Sequence, residues 1–414
     1  MNLILKRQFL FVIILTLIST QLTAGKVKTG LEIMTGLNFA PIKGKRVGLI
    51  TNPTGVNRKL QSTVDLFFHS TEIKLVALYG PEHGVRGDYT AGASVTNFED
   101  PETGLPVYSL YGTTRKPTPE MLRDIDVLVY DIQDIGSRSY TYISSLGLAM
   151  EAAAENNIEF VVLDRPNPLG GLKMEGCLTE PAFTSFVSQF PIPYIHGLTV
   201  GELSVYLNNE GLLANRIKCK LTVIPMKGWK RKMTFEQTGL PWVLSSPHIP
   251  HNYSPVFYPI SGILGELYVM NIGVGYTLPF QLFAAEWINA DSLTKSLNAL
   301  ELPGLLFRPV HFTPYYSVAK NSVVHGIQVY VTDYPKAELS LVQFYVLQEC
   351  HKLWPNQNVF EMCEKSRINM FDKVCGTDKV RLEFTKNFRV ESIIKLWKQD
   401  IVPFKERAKR YFLY

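Results

Sequence analysis

The segment Asp126-Val-Leu-Val-Tyr-Asp-Ile-Gln-Asp-Ile-Gly-Ser-Arg-Ser-Tyr-Thr-Tyr142 joins a short apolar run to a polar, glycine-containing loop. A continuous apolar run rich in β-branched residues is typical of a strand that is buried on both faces. The pattern recurs along the chain and predicts further strands at 45–50, 74–78, 106–110 and 160–163. Helical stretches fall between several of these strands, at 59–70, 119–124 and 144–156. Strands that alternate with helices predict an α/β fold with a mostly parallel sheet.

The second half of the chain has a different organisation. Beyond a predicted helix at 201–208, the pattern predicts strands at 221–225 and 326–332 and helices around 337–353 and 391–398. This mixture predicts a smaller α+β domain, with a boundary between 190 and 215. We place the first domain at 25–205 and the second at 206–414.

Composition excludes several classes of protein. The chain has 414 residues, of which 46% are hydrophobic and 19% charged, so it is long enough for two well-packed domains. Its formal net charge is only +5, and two of the positive charges, Lys6 and Arg7, lie near the N-terminus. Because a nucleic-acid-binding protein concentrates a larger basic excess on one face, we expect no nucleic-acid partner.

The first 24 residues have the pattern of a signal peptide. Two basic residues precede an apolar run that begins at Phe9, and small residues follow at 23–25. An N-terminal membrane anchor is the alternative. Lys26 stands where a lipoprotein would have its cysteine, and no later segment approaches the roughly 20 apolar residues of a membrane-spanning helix. We therefore expect an exported protein with no stable membrane anchor after signal cleavage.

Four predicted strands run into polar loops at their carboxyl ends, at 51–55, 79–88, 131–140 and 164–171. In open α/β sheets, ligands bind at this edge. Each single loop is also explained by the general polarity of loops. Carboxylate, Arg, Asn or His side chains in all four loops favour a binding site.

Glu82 is the candidate general acid, because Gly80-Pro81-Glu82-His83-Gly84 forces a sharp turn after a buried strand. A carboxyl group that is partly desolvated there has a raised pKa, which suits proton donation. Glycoside hydrolysis usually needs a second carboxyl group, for which Asp131 and Asp164 are the candidates. The alternatives are structural: Glu82 caps a helix or pairs with Arg86, and each Asp caps a turn.

Further polar side chains in these loops are candidates for substrate binding. Arg binds carboxylates in a bidentate manner, and Tyr offers both a ring face and a hydroxyl group. The candidates are Asn52, His83, Arg86, Asp134, Arg138, Tyr140, Arg165, Asn167 and His196. A buried arginine that ties loops together is an equal alternative for Arg138, and a structural histidine is the alternative for His196.

Motifs for cofactors, metals and nucleophiles are missing from the sequence. It contains no GxGxxG after a strand, no phosphate-binding loop, no GxSxG and no HExxH, and His248-Ile-Pro-His251 lies between prolines. We expect no cofactor and no metal. The five cysteines are widely spread; Cys363 and Cys375 are either a disulfide pair or buried thiols.

Seven segments, in the same order, resemble the NamZ-type exo-β-N-acetylmuramidases. They are 44–55, 80–88, 103–112, 126–142, 162–171, 196–203 and 226–229. The resemblance implies a Rossmann-like N-terminal domain, a smaller C-terminal domain and an active site between them. It implies a bacterial cell-envelope or periplasmic enzyme that removes N-acetylmuramic acid from the non-reducing ends of peptidoglycan fragments or muropeptides. Glu82 matches the proposed catalytic Glu of the family, and Arg86, Arg138 or Arg165 is expected to meet the lactyl carboxylate.

One segment departs from the family pattern. Many relatives have Ser-Glu-Gly-Arg-Gly-Thr before Pro-Phe, whereas this chain has Asn271-Ile-Gly-Val-Gly-Tyr-Thr-Leu-Pro-Phe280. The change removes a Glu and an Arg, for which Glu266 is a possible substitute. Because of this change, a second function stays open: a non-catalytic protein that binds amino sugars or muropeptides in the same cleft. An amidase or esterase fits less well, because no nucleophile motif is present.

Overall fold

A seven-stranded sheet forms the N-terminal part of the protein, whose computed structural model describes residues 27–87 and 98–414. The strand order is β3-β4-β2-β1-β5-β6-β7, and every neighbouring pair is parallel except β3 with β4. The strands are β1 (Arg46–Thr51), β2 (Lys74–Gly80), β3 (Phe98–Glu99), β4 (Pro106–Ser109), β5 (Val127–Asp131), β6 (Glu159–Leu163) and β7 (Lys220–Ile224). The α/β fold class is confirmed.

Helices cover both faces of this sheet. One face packs against α1 (Gly30–Gly36) and α2 (Thr63–Phe68), and the other against α3 (Tyr142–Glu155) and α4 (Val200–Asn209). Coverage on both faces explains why the strand sequences are apolar throughout: all five residues of β5 are buried.

The C-terminal part packs helices around a small antiparallel sheet of order β8-β10-β9. Its strands are β8 (Leu282–Ala285), β9 (Leu305–Phe312) and β10 (Val324–Val331). Its helices are α5 (Ser254–Gly265), α6 (Ala290–Asn298), α7 (Val342–Leu353), α8 (Val359–Met362), α9 (Lys365–Cys375), α10 (Lys379–Phe384) and α11 (Val390–Lys398). The last helix, α12 (Ile401–Ala408), instead packs against the core of the large sheet through Phe404 and Ala408.

Three local features differ from the sequence expectation. The segment 119–124 forms turns instead of a helix, and α2 is shorter than expected because Ser62 caps it. Strand β7, which the sequence pattern assigns to the second domain, hydrogen-bonds to β6 in the large sheet. The large sheet therefore continues past residue 205.

All five cysteines are free thiols, and four of them are buried, so Cys363 and Cys375 are not paired. Within 27–87 and 98–414, no helix is both long and apolar enough to cross a bilayer. The expected signal peptide at 1–24 lies outside the described residues.

Candidate active site

A cleft of about 450 Å³ opens at the carboxyl edge of the large sheet. Its first wall consists of loops that follow the strands: Glu82 after β2, Tyr111 after β4, and 139–142 after β5. Its second wall comes from α5 and the segment that follows it as far as Phe280. The volume is in the usual range for a small-molecule site, and the position agrees with the general rule for open α/β sheets.

Glu82 reaches the cleft because the chain turns immediately after β2. His83 and Gly84 have φ values of 74° and 76°, and a Cβ on Gly80 would lie 3.2 Å from the Cα of Gly84. The Thr141 hydroxyl donates a hydrogen bond to Oε2 of Glu82 at 3.1 Å. Burial, followed by the charge of Glu82, raises the pKa of Tyr111 to about 12. Glu82 therefore lies between two hydroxyl groups on the cleft wall.

Tyrosine rings form an aromatic surface beside Glu82. The Tyr140 ring makes edge-to-face contacts with Tyr142 and Tyr258, with centroids 4.9 and 5.7 Å apart. The Tyr140 hydroxyl donates to Oγ of Ser245 at 2.8 Å, and the Tyr142 hydroxyl donates to the Ser245 carbonyl oxygen. Burial raises the pKa of all three tyrosines, so the hydroxyls are neutral at physiological pH. Such a surface suits a ring with both apolar and hydroxyl groups.

Glu266 brings a second carboxyl group to the cleft, from the wall that α5 and the following segment form. It follows directly after α5 and is half-buried. Burial raises the pKa of its carboxyl group, and the positive charge of Arg367 opposes that shift. Ile272 and Val274, from the segment that departs from the family pattern, also line this wall.

Asp131 lies at the end of β5 but does not line the cleft. Its carboxylate accepts two hydrogen bonds from Arg165, at 2.5 Å from Nε and 2.8 Å from Nη2, and a third from the Thr63 hydroxyl. Asp131 is fully buried, and Arg165 is 5% exposed. The pair fastens the loops after β5 and β6 to α2, so neither residue is placed to contact a ligand in the cleft.

Asp164 is also fully buried away from the cleft. It accepts hydrogen bonds from the backbone N–H of Gly201 at 2.8 Å, the Thr199 hydroxyl at 2.8 Å and the Tyr414 hydroxyl at 2.7 Å. A Cβ on Gly201 would lie 2.6 Å from the Asp164 Cγ, so the approach needs glycine there. Burial raises the pKa of Asp164 to about 7 against these hydrogen bonds. Its position is that of an anchor for the start of α4.

Arg138 is fully buried and ties the two parts of the chain together. Its guanidinium donates to the carbonyl oxygens of Cys177, Ile192, Val374 and Cys375 at 2.5 to 2.9 Å. Burial lowers the pKa of Arg138 to about 10, which still leaves it charged at neutral pH. Arg138 is therefore the buried arginine that ties loops together. The expectation that it contacts a substrate carboxylate does not fit this position.

Three other candidates are also held by neighbouring groups. Arg86 forms a bidentate pair with Asp100, with both N···O distances at 2.9 Å, and its guanidinium holds the pKa of Asp100 below the usual range. Asn167 donates to the Leu198 carbonyl oxygen at 2.9 Å. Oδ1 of Asn52 accepts from the backbone N–H of Thr54 at 3.0 Å. None of the three is among the described residues that line the cleft.

Asp134 and His196 form a buried pair outside the cleft lining. His196 Nε2 lies 3.6 Å from Oδ2 of Asp134, which accepts from the backbone N–H of Gly136 at 2.6 Å. Nδ1 of His196 accepts from the backbone N–H of Leu198 at 3.2 Å. These contacts fix the loop after β5 against the loop that precedes α4.

Two histidines, His83 and His248, are among the described residues that line the cleft, and of these two His83 is a sequence candidate. Nε2 of His248 contacts the Tyr316 hydroxyl, and burial followed by the charge of His83 lowers the pKa of His248. The described residues contain no group of three or more His, Cys, Asp or Glu side chains placed to hold a metal ion. The cleft thus brings together Glu82, His83 and Tyr140 from the sequence candidates, includes Glu266, which the sequence offers as a substitute for a Glu of the family pattern, and adds His248.

The protein is an α/β protein with a tyrosine-lined cleft at the carboxyl edge of a mostly parallel sheet. Because two glutamates line this cleft, it belongs to a class that is suited to glycoside hydrolysis. Two family models cover nearly the whole chain. That of the N-terminal domain of exo-β-N-acetylmuramidase NamZ matches residues 47–253, and that of the C-terminal domain matches residues 256–414. The chain belongs to the NamZ family.

Individual relatives agree with this membership. The chain is 46% identical over 389 residues to the peptidoglycan β-N-acetylmuramidase NamZ of Bacillus subtilis (strain 168), a match that covers 94% of this chain and 92% of the relative. A crystal structure of a DUF1343 family protein from Bacteroides fragilis NCTC 9343 superposes with a TM-score of 0.91 at 57% identity, and covers 94% of this chain and 99% of that one. A second such protein from the same organism has a TM-score of 0.74 at 28% identity, with the same coverage.

Proposed function

We propose that the protein is an exo-acting glycoside hydrolase that removes terminal β-linked N-acetylmuramic acid from peptidoglycan fragments. Family membership and the named activity of the Bacillus subtilis relative support this function. Glu82 supplies one catalytic carboxyl group, and Tyr140 and Tyr142 support the sugar ring. The reaction calls for carboxyl groups, a shaped pocket and water, and the proposed mechanism uses no cofactor.

The observation that carries the proposal is the position of Glu82. The turn after β2 holds this carboxyl group on the wall of the cleft, within hydrogen-bonding distance of Thr141 and next to the Tyr140 and Tyr142 rings. A glycosidase needs a carboxyl group beside the scissile bond and a surface that holds the ring in place. Of the three catalytic candidates in the sequence, only Glu82 meets both conditions.

Turnover of 4-nitrophenyl β-N-acetylmuramide tests the proposal, with the N-acetylglucosamine glycoside and Glu82→Gln protein assayed in parallel. We expect release of nitrophenol from the muramide and a loss of at least about 100-fold in kcat for the variant. Saturable binding of N-acetylmuramic acid by the folded protein without any product would instead indicate a binding protein that uses the same cleft.

We also propose that the protein is exported to the bacterial periplasm or cell envelope, where peptidoglycan fragments are present. The apolar run at the N-terminus, preceded by Lys6 and Arg7, supports this location. Mass spectrometry of the protein isolated from its native host tests it: cleavage near residue 25 is expected, and an intact N-terminus on a cytoplasmic protein contradicts it.

A further inference from the structure

The proposed function assigns one catalytic carboxyl group, that of Glu82, and the residue that supplies the second one has still to be identified. Enzymes of this kind pair a proton donor with an ionised carboxylate on either side of the scissile bond. Asp131 is held in a buried pair with Arg165, and Asp164 is held at the start of α4. Among the described residues that line the cleft, the carboxyl groups are those of Glu82 and Glu266.

Glu266 has a fixed position on the part of the cleft wall that α5 and the following segment form. Its backbone N–H donates to the Ile263 carbonyl oxygen at 3.2 Å, which continues the last turn of α5. Ile272 packs so closely on the preceding Gly265 that a Cβ there would lie 2.5 Å from its Cδ1. The carboxyl group of this wall therefore comes from the end of α5, while 271–274 contributes apolar side chains.

The surroundings of the two carboxyl groups differ: Glu82 lies among hydroxyl groups, and Glu266 lies among apolar side chains. Oε2 of Glu82 accepts a hydrogen bond from the Thr141 hydroxyl, and the Tyr111 hydroxyl also lines this part of the cleft. Glu266 lies among Tyr258, Met270 and Ile272 on a largely apolar wall, where desolvation raises its pKa. Two carboxyl groups whose environments differ in this way are the usual arrangement of an acid and its ionised partner.

From this arrangement we infer that Glu266 is the second catalytic residue and donates the proton to the glycosidic oxygen, while Glu82 acts as the ionised partner. This inference rests on the proposed function and reverses the proton-donor role that the sequence suggests for Glu82. The bond between C1 and the glycosidic oxygen breaks with its electron pair on the oxygen, which takes the proton of Glu266. Water supplies hydroxide to C1, and its remaining proton restores the acid.

Leaving-group dependence distinguishes the two roles. We compare Glu266→Gln and Glu82→Gln on 4-nitrophenyl β-N-acetylmuramide, which needs little acid assistance, and on the β-linked disaccharide of N-acetylmuramic acid with N-acetylglucosamine. Glu266→Gln should lose about 100-fold or more in kcat on the disaccharide and far less on the nitrophenyl glycoside. Glu82→Gln should lose activity on both substrates. Glu286→Gln, an exposed residue outside the cleft, is the matched control and should lose none.

The pH profile provides a second readout that a merely structural role would not change. In the wild type, kcat/KM for the disaccharide should fall at high pH as Glu266 loses its proton, and this limb should be absent from Glu266→Gln. If Glu266→Gln does not fold, Glu266→Asp replaces it, because it keeps a titrating acid on a shorter side chain and should show the same dependence on the leaving group.

Equal losses of Glu266→Gln on both substrates, or near wild-type turnover of the disaccharide, would overturn the inference and leave the proposed function intact. Lack of turnover by folded wild-type protein on either substrate is a different result, since it overturns the proposed function itself and the inference with it.

Discussion

Nη2 of Arg138 donates a hydrogen bond to the carbonyl oxygen of Cys375 at 2.7 Å, and this bond joins the loop after β5 to the end of α9, which is 237 residues further along the chain. The guanidinium is fully buried and makes its other hydrogen bonds to main-chain oxygens and to the Ser188 hydroxyl. Arg138 is therefore one of the side chains that join the two parts of the chain, together with Glu175, which accepts from the backbone N–H of Ser340 at 2.8 Å.

Arg138→Ala should reduce the free energy of unfolding by several kcal/mol, because it removes the donor of four buried carbonyl oxygens, at about 1–3 kcal/mol for each one left unsatisfied. Urea denaturation followed by circular dichroism measures the change. Arg123→Ala, which removes an exposed arginine, is the control and should have little effect. A loss of substrate binding by Arg138→Ala at unchanged stability would contradict the structural role.

Asp131→Asn should lower stability more than it lowers catalysis. The substitution leaves the guanidinium of Arg165, which is 5% exposed, without its counterion, at a cost of about 3–5 kcal/mol. Turnover per folded molecule should stay close to that of the wild type, since Asp131 does not line the cleft. Denaturation curves and active-site-normalised kinetics measure both quantities.

Asp124→Asn is the matched control for this pair, because it breaks the exposed contact with Arg46 and should change neither quantity. If Asp131→Asn is as stable as the wild type but has no turnover, Asp131 is a catalytic residue and the prediction is wrong.

Asp164 should make the stability of the protein depend on pH. Its folded-state pKa is raised to about 7, whereas an unfolded Asp titrates near about 3.9, so between these values only the folded protein keeps the proton. The free energy of unfolding should therefore fall as pH rises from about 4 to about 7, by a total of about 4 kcal/mol from this group, and level off above pH 7.

The measurement is chemical denaturation at a series of pH values for the wild type and Asp164→Asn. Because asparagine does not titrate, the difference in stability between the two proteins should change across this window and become constant above it. Parallel curves for the two proteins from pH 4 to pH 7 would show that the hydrogen bonds from Gly201, Thr199 and Tyr414 keep Asp164 ionised.

The strands and their polar loops could be predicted because burial on both faces leaves a direct pattern in the sequence. The sequence does not predict which loop residues reach the cleft, because that depends on where the backbone leaves the sheet. Asp131 is the last residue of β5 and Asp164 comes directly after β6, so both remain in the layer covered by helices. Glu82 lies two residues beyond β2 and past a proline, and there the turn directs it into the cleft.

The sequence offers Glu266 only as a substitute for a Glu of the family pattern, and it does not reveal the wall to which Glu266 and Tyr258 belong. They come from an apolar helix and its end, and only the packing of the C-terminal part brings them to the cleft that Glu82 also lines. The sequence also does not predict correctly which groups the arginines contact, and the reason is related. The sequence shows a guanidinium in a polar loop, but whether it faces substrate or main-chain oxygens depends on contacts such as that of Arg138 with residues 374 and 375.

The charge of the cleft leads to a prediction about the substrate. Among the described residues that line it are two glutamates and no lysine or arginine, and the segment 88–97 contains no basic residue either. Arg86, Arg138 and Arg165 are each held by other groups. Arg115 and Arg367 lie outside the lining, although their charges act on Tyr111 and Glu266. A free lactyl carboxylate beside Glu82 would therefore face the charge of that glutamate with no lysine or arginine in the described cleft lining.

Converting the lactyl carboxylate of 4-nitrophenyl β-N-acetylmuramide to an amide, as in a muropeptide that carries its stem peptide, should therefore raise kcat/KM. Removing a repulsion between unit charges about 8 Å apart at an effective dielectric constant of about 20 is worth about 2 kcal/mol before screening, so the expected gain is on the order of tenfold. The advantage of the amide should shrink as salt is added, because ions screen the repulsion that only the acid experiences. Steady-state kinetics on the matched acid and amide at low and high ionic strength measure both effects. A preference for the free acid that salt weakens would mean that a positive group, such as protonated His83 or His248, binds the carboxylate, and the prediction would then be wrong.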